Sequence, residues 1–257
     1  MTTMRVLFYA WFLAAVLVAT VSAEPEPVTV SAEIAAADRD SLVLLWTFDL
    51  ADRWHLYGPH RNDTGQPPSV RFDLPDGWRA GPLEGWPVPE RHVVADVILD
   101  HIYERRLRLR QTVHHLAGAS PRQVAAELRW LVCADLCVPG DTVLTLDLPG
   151  PVSAGGAARL ANHREATPGP LPAAAATARA TADGVVITAP GALRLEFVPD
   201  ARGPDMVDAI ADAVRDGDEL HLRLERDSDA AGPLSGLLII HHPDDRKTHG
   251  TITVPWP

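Results

Sequence analysis

Cysteine is scarce in this chain, with two in 257 residues. That excludes a disulfide-dense small scaffold and a closed structural zinc site of the cysteine-rich kind. Basic charge is also short. Lys and Arg total 23 against 34 Asp and Glu, for a formal net charge of −11. No basic run interrupts this balance, which argues against nucleic acid or anionic lipid as a partner. Beyond the first two dozen residues no apolar stretch approaches the roughly 18 residues of a membrane span, so none is expected in the mature chain. No nucleophile elbow and no glycine-rich phosphate loop is present, and no cofactor or metal site is expected. Aromatics make up 6% of the residues, and Trp46, Trp54 and Trp130 are expected in hydrophobic cores rather than on a ligand platform. His114-His115 and His241-His242 would put adjacent rings on opposite faces of a strand, which chelates nothing well.

What is present begins with a leader. Met1 to Arg5 gives a short positive start, Val6 to Val18 is apolar, and Val21-Ser22-Ala23 supplies small residues before Glu24-Pro25. Residues 1–23 therefore read as a secretory signal peptide, and the mature chain as periplasmic or secreted. Loss of Arg5 with the leader takes the net charge to about −12. Export places both cysteines where disulfides persist.

The remainder reads as all-β, two sandwich domains in tandem. Residues 24–150 supply short strands separated by turn signals: Val28 to Ala35, Ser41 to Leu50, Trp54 to Tyr57, Ser69 to Leu74, Val93 to Leu99 and Tyr103 to His114. Pro75-Asp76-Gly77 is a turn by its residue chemistry. Residues 151–182, rich in Pro, Gly and Ala, read as a linker with room for a short helix at Ala157 to His163. Residues 183–257 repeat the strand character in a smaller domain. The period of four in Met206, Ile210 and Val214, after Pro204 and before Gly217, predicts one helix there.

The two cysteines lie four apart in Trp130-Leu131-Val132-Cys133-Ala134-Asp135-Leu136-Cys137-Val138-Pro139-Gly140. Val124 to Val132 and Thr142 to Leu148 read as strands, leaving Ala134-Asp135-Leu136 as the hairpin loop. Antiparallel pairing would bring the Cα atoms to about 5.5 Å, within disulfide range. Pro139 disfavours the helical alternative. A ring this small constrains the unfolded chain by only about 2 kcal/mol, and the hairpin has already closed most of it. That favours reversible exchange over permanent stapling. A plain structural bridge and metal capture by both thiolates remain open alternatives.

The first domain resembles the periplasmic N-terminal domain of the DsbD thiol:disulfide interchange family and its ScsB (suppressor of copper sensitivity) relatives. The resemblance rests on Ala51 to Tyr57, Gly65 to Val70, Leu74 to Gly77, Ile102 to Leu107 and, above all, Trp130 to Pro139. In the second domain Leu195 to Pro199 and Pro233 to Leu238 also look ScsB-like. The resemblance implies immunoglobulin-like sandwiches in which Cys133 and Cys137 relay electrons from a membrane reductant to thioredoxin-like periplasmic proteins. It marks Tyr57, Trp130, Asp135 and Pro139 as supporting residues. Two departures stand out. The chain stops at Pro257 without the family's membrane domain, so a separate membrane electron-transfer protein is the expected reductant. The family's acidic-aromatic cap is also missing from Asp96 to Asp100, where Tyr103 is the candidate substitute. A non-catalytic binding or chaperone-like module, with a structural disulfide and a role in copper tolerance or copper binding, is the alternative function.

Around the cysteines lie Leu131, Val132, Leu136, Val138 and the anion Asp135, all of which disfavour a thiolate. The pair is therefore expected to be the slow party in exchange, with Cys137, beside Pro139, forming the mixed disulfide.

Overall fold

A computed structural model describes residues 26–225 and 232–256. The leader expected at 1–23 lies outside the described residues. Strands dominate. In the N-terminal part, β1 (Val28–Ala37), β2 (Ser41–Leu50), β3 (His55–Tyr57), β4 (Ser69–Phe72), β5 (Arg79–Ala80), β6 (Glu90–Val94), β7 (Ile98–Glu104), β8 (Arg106–His114), β9 (Arg122–Cys133) and β10 (Cys137–Leu148) form two sheets. One runs β1-β2-β8-β5; the other runs β10-β9-β3-β7-β6, with β4 on β9.

The period-two pattern decides which faces meet. Leu42, Leu44, Trp46 and Phe48 of β2 and Leu107, Leu109 and Val113 of β8 point inward against Leu56, Tyr103, Val124, Ala126, Leu128 and Val132 of the facing sheet. Trp46 is fully buried, and its indole N–H donates to Gln111 Oε1 at 3.0 Å. Gln111 Nε2 in turn donates to the Gly81 carbonyl at 2.8 Å, so this buried polar pair is satisfied. Trp54 and Trp130 pack against the same core, half-buried. Burial on this scale stabilises by about 25 cal/mol per Å² of apolar surface, and truncating one such leucine to alanine costs about 2–5 kcal/mol.

A register shift at Ile34/Ala36 bulges β1 and turns Ala35 outward from that core. There it meets Leu45 and Leu160. Leu160 belongs to α1 (Gly156–Ala166), the short helix expected within residues 151–182. Gly156 sits so close to β1 that a Cβ would lie 3.1 Å from the Ala35 Cα. The rest of that stretch holds β11 (Thr177–Ala180).

The C-terminal part adds β12 (Gly184–Thr188), β13 (Arg194–Pro199), α2 (Ala209–Asp212), β14 (Val214–Asp216), β15 (Glu219–Arg223), β16 (Leu234–His241) and β17 (Lys247–Val254). Its sheets run β11-β12-β15 and β14-β13-β16-β17, around a separate core that includes Ile187, Leu195, Phe197, Leu222 and Leu238. Arg61 ties the two parts together. Its backbone N–H donates to the Pro199 carbonyl at 3.0 Å, and its guanidinium donates to the Gly203 carbonyl at 2.9 Å and pairs with Asp205.

Three expectations are corrected. Val93 to Leu99 is not one strand: Ala95 and Asp96 take positive φ (51° and 56°) and reverse the chain between β6 and β7. Tyr103 to His114 breaks at Arg105 (φ 61°), where the chain passes from one sheet to the other. The helix expected through Met206, Ile210 and Val214 shrinks to one turn, α2, capped by Asp208 accepting from the Ala211 N–H at 2.9 Å. Met206 instead bridges to Leu224 and Val214 pairs with Glu196, so ladder hydrogen bonds claim residues whose spacing also suits a helix.

Candidate functional site

β9 and β10 pair in unbroken register from Cys137 opposite Cys133 to Leu148 opposite Arg122. The hairpin tip is the loop expected from the sequence, closed by the Ala134 N–H donating to the Leu136 carbonyl at 3.1 Å. Cys133 and Cys137 are disulfide-bonded, with their Cα atoms 4.0 Å apart, closer than the expected 5.5 Å.

Strand alternation sorts the residues around the bond. Val132, Trp130 and Leu128 face the sandwich core, and Trp130 packs edge-on to Phe48 at 6.4 Å. Cys133 and Leu131 face the other way and cluster with Tyr57 and Ile102. Trp130 thus supports the hairpin from beneath rather than lining the sulfur face. Tyr103 is likewise a core residue. It packs on Trp86, and its hydroxyl donates to the Pro87 carbonyl at 2.8 Å, while burial holds its phenol above the usual range. Tyr57 belongs to the cysteine face.

The two cysteines differ in exposure. Cys133 is 2% exposed, whereas Cys137 is open to solvent, as are Asp135 and Pro139. Leu136 (77%) and Val138 (42%), on either side of Cys137 in sequence, are exposed apolar residues. Asp135 accepts from Arg53 Nη2 at 2.6 Å in an exposed ion pair of the kind that contributes little to stability.

Beneath Cys137, Tyr57, already marked by the resemblance, is joined by polar partners that the sequence did not point out. The Tyr57 hydroxyl is 3.8 Å from Cys137 Sγ, 3.4 Å from His55 Nε2 and 3.5 Å from Thr64 Oγ1. Thr64 donates its hydroxyl to Asp100 Oδ2 at 2.6 Å and its N–H to Asp100 Oδ1 at 3.0 Å. Asp100 is 2% exposed. Gly65 lies flat on the Tyr57 ring, where a Cβ would fall 2.1 Å from ring atoms. His55 is the cross-strand partner of Cys133 and packs its ring on Tyr57 and His92, at 5.3 and 5.2 Å. Burial first, and then the neighbouring His92, lower the His55 pKa. Burial raises that of Tyr57, which therefore stays a protonated donor. Such a group can hold a thiol or thiolate at Cys137 by a hydrogen bond.

The stretch Asp96 to Asp100 does not act as one capping segment: it passes from the β6–β7 turn into β7, where Asp100 holds Thr64. Thr64 and Gly65 lie against Tyr57, and Cys137 is open to solvent. Among the described residues no group of three or more His, Cys, Asp or Glu is placed to hold a metal, and no helix is long and apolar enough to cross a membrane.

Residues 21–149 match the family model described as "Thiol:disulfide interchange protein DsbD, N-terminal". The N-terminal periplasmic domain of ScsB from Proteus mirabilis has a similar fold. It superposes with a TM-score of 0.60 at 15% identity, over 89% of this chain and 92% of that one. The N-terminal domain of Neisseria meningitidis DsbD in its reduced form matches at 18% identity over 46% of this chain and 85% of its own, with a TM-score of 0.31. No curated protein matches by sequence.

Proposed function

Because the chain belongs to the family of the N-terminal domain of the thiol:disulfide interchange protein DsbD, we propose that it is an exported electron carrier. On this reading it passes reducing equivalents from a membrane reductant on another polypeptide to thioredoxin-like periplasmic proteins, through Cys133 and Cys137. Residues 24–150 would be the redox domain and the chain from β11 onward a second domain, a division supported by their separate hydrophobic cores. The composition of residues 1–23 supports export.

The observation that carries the reading is the asymmetry of the bridge, with one exposed and one buried cysteine at the tip of a hairpin in unbroken register. A donor thiolate attacks Cys137 Sγ in line, the bond to Cys133 breaks, and its electron pair leaves on the Cys133 sulfur. The donor's second thiolate then attacks the donor's own sulfur in the mixed disulfide and frees Cys137. The donor ends as a disulfide, and its two protons end on Cys133 and Cys137. Running the same steps in reverse reduces a client. Leu136, exposed beside Cys137, gives a docking partner an apolar contact at the bond.

Measuring the equilibrium of the bridge against a glutathione or dithiothreitol series tests this. An exchanging pair should lie above about −300 mV, and a value below that marks a structural bond and overturns the proposal.

A further inference from the structure

Tyr57 has one hydroxyl proton and three polar neighbours within reach: Cys137 Sγ, His55 Nε2, whose role follows the ring's tautomer, and Thr64 Oγ1. While the cysteines are bonded, none of the three competes strongly, and all three distances are long for a hydrogen bond. Breaking the bridge changes the balance. A thiolate at Cys137 carries charge, and a hydrogen bond to a charged acceptor is worth roughly twice a neutral one. Whether the tyrosine can deliver that bond depends on its ring staying where it is.

Two neighbours keep it there. Gly65 lies against the ring face, so the ring cannot swing that way. Thr64 stands at the hydroxyl and is held by two hydrogen bonds to the buried Asp100 carboxylate. Since Thr64 commits its only hydroxyl proton to Asp100, its oxygen faces Tyr57 as an acceptor and cannot donate to the tyrosine oxygen. We infer that Thr64 and Asp100 are positioning residues for the redox pair: they fix Tyr57 so that its O–H stabilises the Cys137 thiolate.

This deepens the proposed exchange function and rests on it for its purpose, although the thiol property itself stands apart. In the step that frees Cys137, the bond to the partner's sulfur breaks and the electron pair stays on Cys137 Sγ. Tyr57 O–H donates to that anion, and the proton that finally neutralises it is the one released by the partner's thiol. The charged and titratable groups facing the site are His55 on β3, His92 on β6, Asp100 and Glu104 on β7, and the Arg53–Asp135 pair at the rim. Replacing Thr64 changes none of these charges, which makes it the informative position.

The test is the pH dependence of Cys137 alkylation in the reduced protein, read by iodoacetamide labelling and peptide mass. Tyr57→Phe should raise the Cys137 thiol pKa by about one unit, a tenfold loss of thiolate at neutral pH. Thr64→Val should raise it part of the way, and Thr64→Ser should restore it. In a Tyr57→Phe background Thr64→Val should have no further effect, which a merely structural role would not reproduce. Thr64 is at the surface; should the valine variant fold poorly, Thr64→Ala is read the same way. An unchanged pKa in Tyr57→Phe, or an equal rise from the Thr64 substitution in both backgrounds, overturns the inference. If the pKa pattern holds but no thioredoxin-like partner exchanges with the bridge, the electron-carrier reading fails and this one stands.

Discussion

Cys133 and Cys137 are bonded cross-strand partners, yet the first is 2% exposed and the second is open to solvent beside an exposed Leu136. Reactivity at sulfur follows access as well as thiolate fraction. A reagent in solution therefore meets one sulfur and not the other, whichever thiol is the more acidic.

Single substitutions separate the two. In Cys133→Ser the remaining Cys137 thiol should react with an aromatic disulfide reagent at least about tenfold faster than the Cys133 thiol that remains in Cys137→Ser. Cys133→Ser should also accumulate a mixed disulfide with a small thiol donor, which mass spectrometry detects. Equal rates, or a faster Cys133, would reverse the assignment of the attacked sulfur.

Much of the fold was legible because strands buried on one face alternate with period two. Val28 to Ala35, Ser41 to Leu50 and the two arms of the cysteine hairpin all show that alternation, and the structure places strands there. What escaped is what alternation does not encode. Ala95 and Asp96 in left-handed conformations turn a stretch of good strand formers into a hairpin. Met206 and Val214 share a helical spacing but are taken up by ladders with Leu224 and Glu196. At the site, the cysteines and Tyr57 sat in recognisable motifs, whereas Thr64 and Asp100 did not. They come from a loop and a strand separated by 36 positions, and only the fold brings them to one hydroxyl. His55 lay inside a motif, but its place opposite Cys133 depends on β3 joining the edge of β9.

Gly65 gives a second handle on the same geometry. Its Cα lies against the Tyr57 ring so closely that a Cβ would come within 2.2 Å of three ring atoms, so the ring or the loop has to move. Gly65→Ala should therefore destabilise by about 1–3 kcal/mol, the usual cost of overpacking. It should also change the rate at which dithiothreitol opens the bridge, since Tyr57 leaves Cys137. Urea midpoints and reduction kinetics check both. Unchanged values in both measurements would mean that the loop yields and does not hold the ring.

His60 links the acid sensitivity of the chain to the junction between its two parts. Its side chain is 11% exposed and stands 3.9 Å from Asp200 Oδ1, beside His101 at 5.9 Å. Burial, and then the neighbouring His101, push its pKa down to about 4. The unfolded chain titrates this group near 6.5. Because the folded form resists the proton, the stabilisation is complete above the unfolded value and is lost as pH falls from about 6.5 towards about 4. The loss attributable to His60 should reach about 2 kcal/mol by pH 5. Asp200, whose carboxyl burial raises, works in the opposite sense. His163, pushed down to about 4 by burial first and then by Arg110, Arg108 and Arg164, adds to the same fall. Urea unfolding between pH 7.5 and 4.5 should show stability dropping across that window. His60→Gln, which removes the titration without adding charge, should flatten it. An identical fall in His60→Gln would remove His60 from the account and leave acid sensitivity to the remaining buried histidines, and a flat profile in the unsubstituted protein would remove them all.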